Sequence, residues 1–304
     1  MVKQRSSVLT KHATISYARY GVYFVLPYFV VFGVFQLFPI IYTFYLTFFS
    51  WDGFNDMIFV GLGNYRRLLA DRVFFTAVRN TFRIWIIAAI PQIGLALFLG
   101  AVFTYRRMKG GSLFQAIFYL PNLITATSIA ILFSLLLDWQ AGAINQVLLR
   151  LGALEQPVNW LRSPFWTSAA VSLIQWWQWF GYTTLLVMAG MKAIPGELYE
   201  SARIDGAGSV AMFFRITLPL LKNTLTYVVV TAIIGGMQIF DVPNVLTGGL
   251  GDPNRSILTM VMHVWNMSFR FTNYGYGATV AYGLFIIILT FSIIAFRQLQ
   301  RRDS

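Results

Sequence analysis

Long apolar runs separated by short polar segments make up most of this chain, and the run lengths set the first expectation. A helix needs about 20 mostly apolar residues to cross the hydrocarbon of a bilayer. Runs of that kind fall at Tyr20 to Phe49, Asn80 to Thr104, Leu113 to Leu137, Phe165 to Gly190, Asn223 to Leu246 and Asn273 to Phe296. The pattern predicts an all-α, polytopic membrane protein with about six transmembrane helices. The first run is too long for the core of a signal peptide and lacks a small-residue cleavage site, so it reads as a retained span. Pro27, Pro39, Pro91, Pro121 and Pro243 fall in the runs and read as kinks, whose freed carbonyls neighbouring helices or waters satisfy. The expected organisation is a segment 1–19, a helical domain 20–296 and a tail 297–304.

Composition agrees with this pattern, at 57% hydrophobic and 11% charged residues. A water-soluble domain of 304 residues needs far more polar surface. The net charge of +12 does not point to nucleic acid, because no basic stretch is interleaved with stacking aromatics in a polar setting. Basic residues flanking spans and facing anionic lipid account for it. Cysteine is absent, which excludes disulfides, thiolate metal sites and a cysteine nucleophile.

The distribution of charge orients the chain. Segments 1–20, 105–112, 191–222 and 297–304 share one side and hold 14 of the 23 Lys and Arg. The segments on the other side, 50–79, 138–164 and 247–272, hold 8, and Arg83 lies inside the second span. By the positive-inside rule the first side, with both termini, is cytoplasmic. Trp51, Trp139, Trp160 and Trp265 lie in the outer segments, as residues near a membrane interface do.

The segment 191–219 is too long for a simple connector. Pro195 and Gly196 stop the preceding helix, and Glu197 and Glu200 favour the first turn of a new one. Gly206 and Gly208 end that helix, and a second amphipathic piece leads from Ser209 through Ile216 to Pro219. A helix–turn–helix facing the cytoplasm follows.

Within it Glu200, Ser201 and Ala202 are followed by Gly206, Ile216, Leu218 and Pro219. This resembles the Glu-Ala-Ala loop of bacterial ATP-binding-cassette importer permeases, with Ser201 replacing one alanine. Phe59 to Tyr65, Leu120-Pro121-Asn122, Ala193-Ile194-Pro195, Ile204 to Gly208 and Leu246 to Gly249 are similar to motifs of the carbohydrate-importer subgroup. Leu250-Gly251-Asp252-Pro253 departs from that subgroup's usual Gly-Pro ending. The resemblance implies the type I importer permease fold in the bacterial cytoplasmic membrane, and substrate transport rather than an enzymatic activity. It implies as partners a second homologous permease, two cassette ATPases that bind ATP and Mg2+, an extracytoplasmic substrate-binding protein and membrane lipid. This chain would carry no cofactor of its own. In such systems the Glu-Ala-Ala helix docks in a groove of the ATPase. That assigns coupling to Glu200, Ser201, Ala202, Arg203, Asp205, Gly206, Ile216 and Pro219.

Polar side chains within spans are costly and mark substrate paths or interhelical hydrogen bonds. Gln175, Gln178 and Tyr182 share a helix face with Trp179 beside them. Gln238, Asp241 and Asn244 recur at spacing three, as do Asn122 and Thr125. An aromatic ring stacks on the apolar face of a sugar while amides and carboxylates bond its hydroxyls. Gln175, Gln178, Trp179, Tyr182, Gln238, Asp241 and Asn244 are therefore candidates for the substrate path. Arg83 is the one cation within a span and lies near its end, which favours a neutral sugar over glycerol phosphate.

The rival readings lack support. A secondary transporter predicts halves with matching broken spans. An embedded enzyme needs a catalytic constellation, and His12 and His263 are the only histidines. The glycine-rich stretch Gly248 to Ser256 lacks the lysine of a phosphate-binding loop. An amino-acid or peptide importer permease shares the Glu-Ala-Ala loop but not the flanking motifs.

Overall fold

The computed structural model describes residues 18–105 and 110–300, with Ala18–Tyr20 as backbone only. Residues 1–17, 106–109 and 301–304 lie outside the described residues. They include most of the predicted N-terminal segment, part of the predicted tail and much of the basic charge used to orient the chain.

Two compact units result, Met1–Tyr45 and Leu46–Ser304. In the first, α1 (Ala18–Phe32) passes through a π-helical turn at Gly33–Leu37 into α2 (Phe38–Leu46). A second π-helical turn, Phe213–Thr217, stands likewise just before a proline, Pro219, as the first stands before Pro39. A proline ring clashes with the carbonyl one turn back, and a widened turn relieves the clash.

The second unit opens with a short antiparallel pair, Phe49–Ser50 and Ile58–Phe59. The helices that follow are α3 (Gly63–Ala70), α4 (Arg72–Tyr105), α5 (Gly111–Leu123), α6 (Ala126–Leu136), α7 (Ala143–Arg150) and α8 (Pro164–Lys192). Beyond them come α9 (Gly196–Ile204), α10 (Ser209–Met212), α11 (Leu218–Leu220), α12 (Lys222–Met237), α13 (Asp241–Thr247), α14 (Met260–Trp265) and α15 (Tyr274–Gln300). Among the described residues, four helical stretches are long and apolar enough to cross a membrane: Gly21–Leu46, Arg72–Tyr105, Lys222–Thr247 and Tyr274–Gln300. Helix α8, with 29 residues, has the length, but its Gln, Ser and Thr residues dilute its apolar character.

Three expectations change in detail. The second span begins at Arg72 rather than Asn80, so Arg72 and Arg79 are helical rather than loop residues. The third is no single helix: α5 and α6 meet at 92°. Pro121 cannot donate to the carbonyl one turn back, Ile124 is extended, and Thr125 caps α6 by accepting from Ser128 N–H at 3.3 Å. Thr125 thus starts a helix rather than sharing a helix face with Asn122. The fifth span breaks at Gln238 to Phe240, between α12 and α13.

The core lies along the α4–α8 contact. Ile84, Val171 and Ile174 are fully buried in one cluster with Ile129 and Ile257, and Ala96, Val187 and Met191 form another. Helix α5 reaches α8 because position 181 is glycine: a Cβ there would sit 1.8 Å from the Phe118 carbonyl oxygen. Close backbone approach over small residues is how helices pack where no water drives them together.

The α3 end of α4 is held by a buried polar cluster. Asp71 Oδ1 accepts from Val73 N–H at 2.8 Å and caps the helix. Its Oδ2 accepts from the Tyr276 hydroxyl at 2.6 Å and faces His263 Nε2 at 3.2 Å. The Arg67 guanidinium lies 3.9 Å from the centre of the Tyr276 ring. Burial pushes His263 below its ordinary value, with Asp71 opposing. Asp71 is also partly desolvated, which raises it, but the Tyr276 and Val73 donors and His263 outweigh this and hold it below the usual carboxylate range.

Both shifts have the same consequence. Each group binds its proton more readily unfolded than folded, so the cluster stabilises the fold at neutral pH and loses that contribution on acidification. For His263 the loss begins as pH falls through the ordinary value of 6.5. Thermal unfolding in detergent from pH 8 to 5 should show a stability decline below about pH 6.5 that His263→Gln flattens. Tyr276→Phe should cost about 1.5–3 kcal/mol at pH 7, the range for losing a hydrogen bond to a charged group. A pH profile unchanged in His263→Gln would remove His263 from this account.

Candidate functional site

The sequence-predicted path residues separate into groups. Gln175, Trp179 and Tyr182 of α8 line one cavity together with Trp85, Gln92, Thr183, Thr231, Gly235 and Gly236, between α4, α8 and α12. Its volume is about 90 Å3, room for a few waters. Trp179 is 40% exposed and meets Tyr182 edge to face at 5.9 Å. Gln92 Nε2 donates to Thr183 Oγ1 at 2.7 Å, and Thr183 Oγ1 donates to the Trp179 carbonyl at 3.1 Å. Among the described residues, no Lys, Arg, His, Asp or Glu lines this cavity.

Gln178 is buried and is not among the lining residues. Gln238 ends α12 and lines a separate, mostly apolar groove of about 600 Å3 with residues of α15. Asp241 is exposed in the first turn of α13, and Asn244 is half-buried in the same helix. The structure does not bring Gln238, Asp241 and Asn244 to one face, because the helix break interrupts the spacing.

Several cavity residues escaped the sequence reading. Trp85 and Gln92 belong to α4, whose polar positions are sparse and show no repeat. Gly236 admits the Trp85 indole: a Cβ there would lie 1.9 Å from Trp85 Cδ1. The Trp85 Nε1 is buried without a hydrogen-bond partner. A Gly-Gly pair beside a tryptophan on another helix is a packing relation that one helix's periodicity cannot reveal.

At the other end of α4 lies the predicted coupling segment. Glu200, Ser201, Arg203 and Asp205 are exposed on and just after α9, and Ala202 and Ile216 are half-buried. Gly206 has φ +79°, the left-handed region that only glycine occupies without strain. It closes α9 with hydrogen bonds from Gly206 N–H to Arg203 O at 3.0 Å and from Ala207 N–H to Ala202 O at 2.8 Å. Pro219 lies in α11, exposed. Large apolar side chains stand out on this surface, with Ile204 87%, Val210 72% and Phe214 61% exposed.

What fixes α9 was not legible in the sequence. Tyr199, nearly buried, bonds Thr217 Oγ1 at 2.9 Å, and the Tyr105 hydroxyl bonds the same oxygen. The two tyrosine rings pack edge to face at 5.5 Å. Tyr105 ends α4, so one helix joins the wall of the cavity to the seat of the exposed segment.

Comparison with known proteins fits this architecture. Solved structures of a bacterial importer of the acidic polysaccharide alginate superpose with TM-scores of 0.77 and 0.80 at 21% identity, covering 95% and 94% of this chain and 98% and 96% of theirs. The chain is 31% identical over 283 residues to the lactose transport permease LacF of Rhizobium radiobacter, covering 93% of this chain and 94% of the relative. It is 33% identical over 281 residues to the trehalose/maltose transport permease MalF of Thermococcus litoralis, covering 91% and 92%. The family model described as binding-protein-dependent transport system inner membrane component matches residues 84–303. This protein therefore belongs to the family of inner membrane components of binding-protein-dependent transport systems.

Proposed function

We propose that this chain is the permease subunit of an ATP-driven importer for a neutral sugar or oligosaccharide. It would work with a second permease, two cassette ATPases and an external binding protein, with both termini in the cytoplasm. The observation that carries the sugar assignment is the cavity between α4, α8 and α12. It combines the part-exposed Trp179 with Gln175, Tyr182 and Thr231 and contains no ionised side chain among the described residues. Aromatic stacking with amide and hydroxyl hydrogen bonds suits a polyhydroxylated neutral ring. A phosphorylated substrate calls for cations, which the cavity does not offer. The relatives named for lactose and for trehalose and maltose support the same class. At about 90 Å3 the cavity is too small for an oligosaccharide, so it represents one wall of a path completed by the second permease.

Coupling would run through α4. A groove on the ATPase receives the exposed α9 segment, with Ile204, Val210 and Phe214 as apolar knobs and Glu200 and Arg203 at the rim. Nucleotide-driven closure then displaces α9. The Tyr199–Thr217–Tyr105 contacts pass that displacement to α4 and hence to the cavity.

Uptake of labelled sugar with expression held equal should fall in Gln175→Ala and Tyr182→Phe by roughly 5- to 150-fold in apparent affinity, since a lost hydrogen bond costs about 1–3 kcal/mol. Gln178→Ala should transport normally. Full uptake in both cavity variants would move the path elsewhere. Gly206→Val, strained at positive φ, should abolish substrate-stimulated ATP hydrolysis by the assembled complex while leaving the chain in the membrane. Retained stimulation would refute the docking role. Single cysteines introduced at Asn55, Ala153 and Asn254 should react with an impermeant thiol reagent in intact cells, and one at Ser209 should not. The inverse pattern would reverse the orientation.

A further inference from the structure

Helix α4 carries a second stripe, turned away from the cavity. Arg72, Arg79 and Arg83 are exposed at spacings of seven and four, which places them on one face. Arg83 and Gln92 are nine residues, or about two and a half turns, apart, so the arginines face the side opposite the cavity wall. The same stripe continues toward the middle of the helix through Ile87, 49% exposed, and Ile90, 68% exposed, then Gly94, and ends at Phe98, 63% exposed. A Cβ at Gly94 would meet nothing within 4 Å, so the apolar part of the stripe has a shallow dip.

The arginine end is a built arrangement. Arg83 Nη2 donates to the Ser256 carbonyl at 2.7 Å, and Asn80 Nδ2 donates to the Arg255 carbonyl at 2.7 Å. These bonds lay the loop bearing the exposed Arg255 against the third and fourth turns of α4. Among the described residues, no carboxylate forms an ion pair with Arg72, Arg79, Arg83 or Arg255. Every basic residue in 46–105 and 223–296 is an arginine rather than a lysine. The planar guanidinium binds phosphate through paired hydrogen bonds, which an ammonium group cannot do.

We propose that this stripe is a binding site for an anionic phospholipid, with the headgroup phosphate at Arg79, Arg83 and Arg255 and an acyl chain along Ile87, Ile90 and Gly94. Charge and apolar surface follow one another along the helix in the order a lipid presents them. Clustered unpaired cations repel one another, and a bound phosphate relieves that repulsion. A transported anion is disfavoured by position, since the stripe and the cavity lie on opposite faces of α4. The site depends neither on the identity of the sugar nor on which side is cytoplasmic.

The test uses the purified full-length chain in detergent, with phosphatidylglycerol and phosphatidylcholine of identical acyl chains. Native mass spectrometry should show phosphatidylglycerol retained in preference to phosphatidylcholine, and thermal unfolding should rise only with the former. Arg79→Gln with Arg83→Gln should weaken retention about fivefold per arginine removed. Arg150→Gln, which removes one arginine charge elsewhere, should leave retention unchanged. Arg79→Lys with Arg83→Lys, a gentler pair should the first misfold, should keep part of the preference, because charge remains and the fork is lost. No preference in the native chain, or an undiminished preference in the glutamine pair, would overturn the proposal. So would equally effective competition by free glycerol phosphate, which marks a simple anion site. Loss of bound lipid on assembly with a second permease would also overturn it, by assigning the stripe to a protein interface.

Discussion

Hydrocarbon offers no hydrogen bonds, so every interruption of a helix at membrane depth must find its partners within the protein. This constraint organises the second unit. Where α12 gives way to α13, the Ile239 carbonyl accepts from Thr259 Oγ1 at 2.7 Å. The Thr259 hydroxyl also caps α14 by accepting from Met262 N–H at 3.3 Å. Thr81 Oγ1, fully buried, accepts from Met260 N–H at 3.0 Å, and Asn80 Nδ2 donates to the Leu258 carbonyl at 3.2 Å. Buried polar side chains thus act as substitute backbone partners for the irregular segment 251–259 and the first residue of α14. An Asn or Thr removed from such a position leaves a carbonyl or amide unpaired, which is costlier than losing a surface hydrogen bond.

The same use of polar side chains recurs elsewhere in the second unit. Asn64 Nδ2 donates to the Thr47 and Phe49 carbonyls, each at 2.9 Å, and ties α3 to the segment that follows α2. Asn145, buried, donates to the Val158 carbonyl at 2.9 Å and accepts from Trp160 Nε1 at 2.9 Å, closing the segment between α6 and α8. Helix α4 follows the first of these networks in the chain and precedes the second. It carries the Asp71 cluster at its start, Asn80 and Thr81 next, one wall of the cavity in the middle and Tyr105 at its end. Its buried and exposed faces therefore serve different tasks: polar contacts and the cavity on one side, arginine and isoleucine on the other.

The exposed α9 segment and the cavity differ in how far the sequence revealed them. A helix between Pro195 and Gly206, closed by a left-handed glycine, follows from local chemistry, and α9 has that form. The Gln175, Trp179 and Tyr182 set follows from helical spacing within α8. Gln238, Asp241 and Asn244 obey a regular spacing too, but regular spacing has meaning only along an unbroken helix, and theirs is broken. Trp85, Gln92, Tyr105 and Thr217 gave no periodic signal, because each is defined by a partner on another element.

Sequence alone established the solvent, the helical class and the approximate position of the spans, because apolar run length is a local property matched to bilayer thickness. It also determined the Glu200-to-Pro219 pattern, since caps and helix stops act within a few residues. Packing between distant segments sets where helices bend, as at 92° between α5 and α6, and which polar groups face a cavity and which satisfy a backbone break. A glutamine in a span carries the same residue-level signature whether it meets a ligand, a carbonyl or another helix. Its role is set by what lies within about 3 Å of it, and those neighbours come from distant parts of the chain, as Gln92 and Thr183 do.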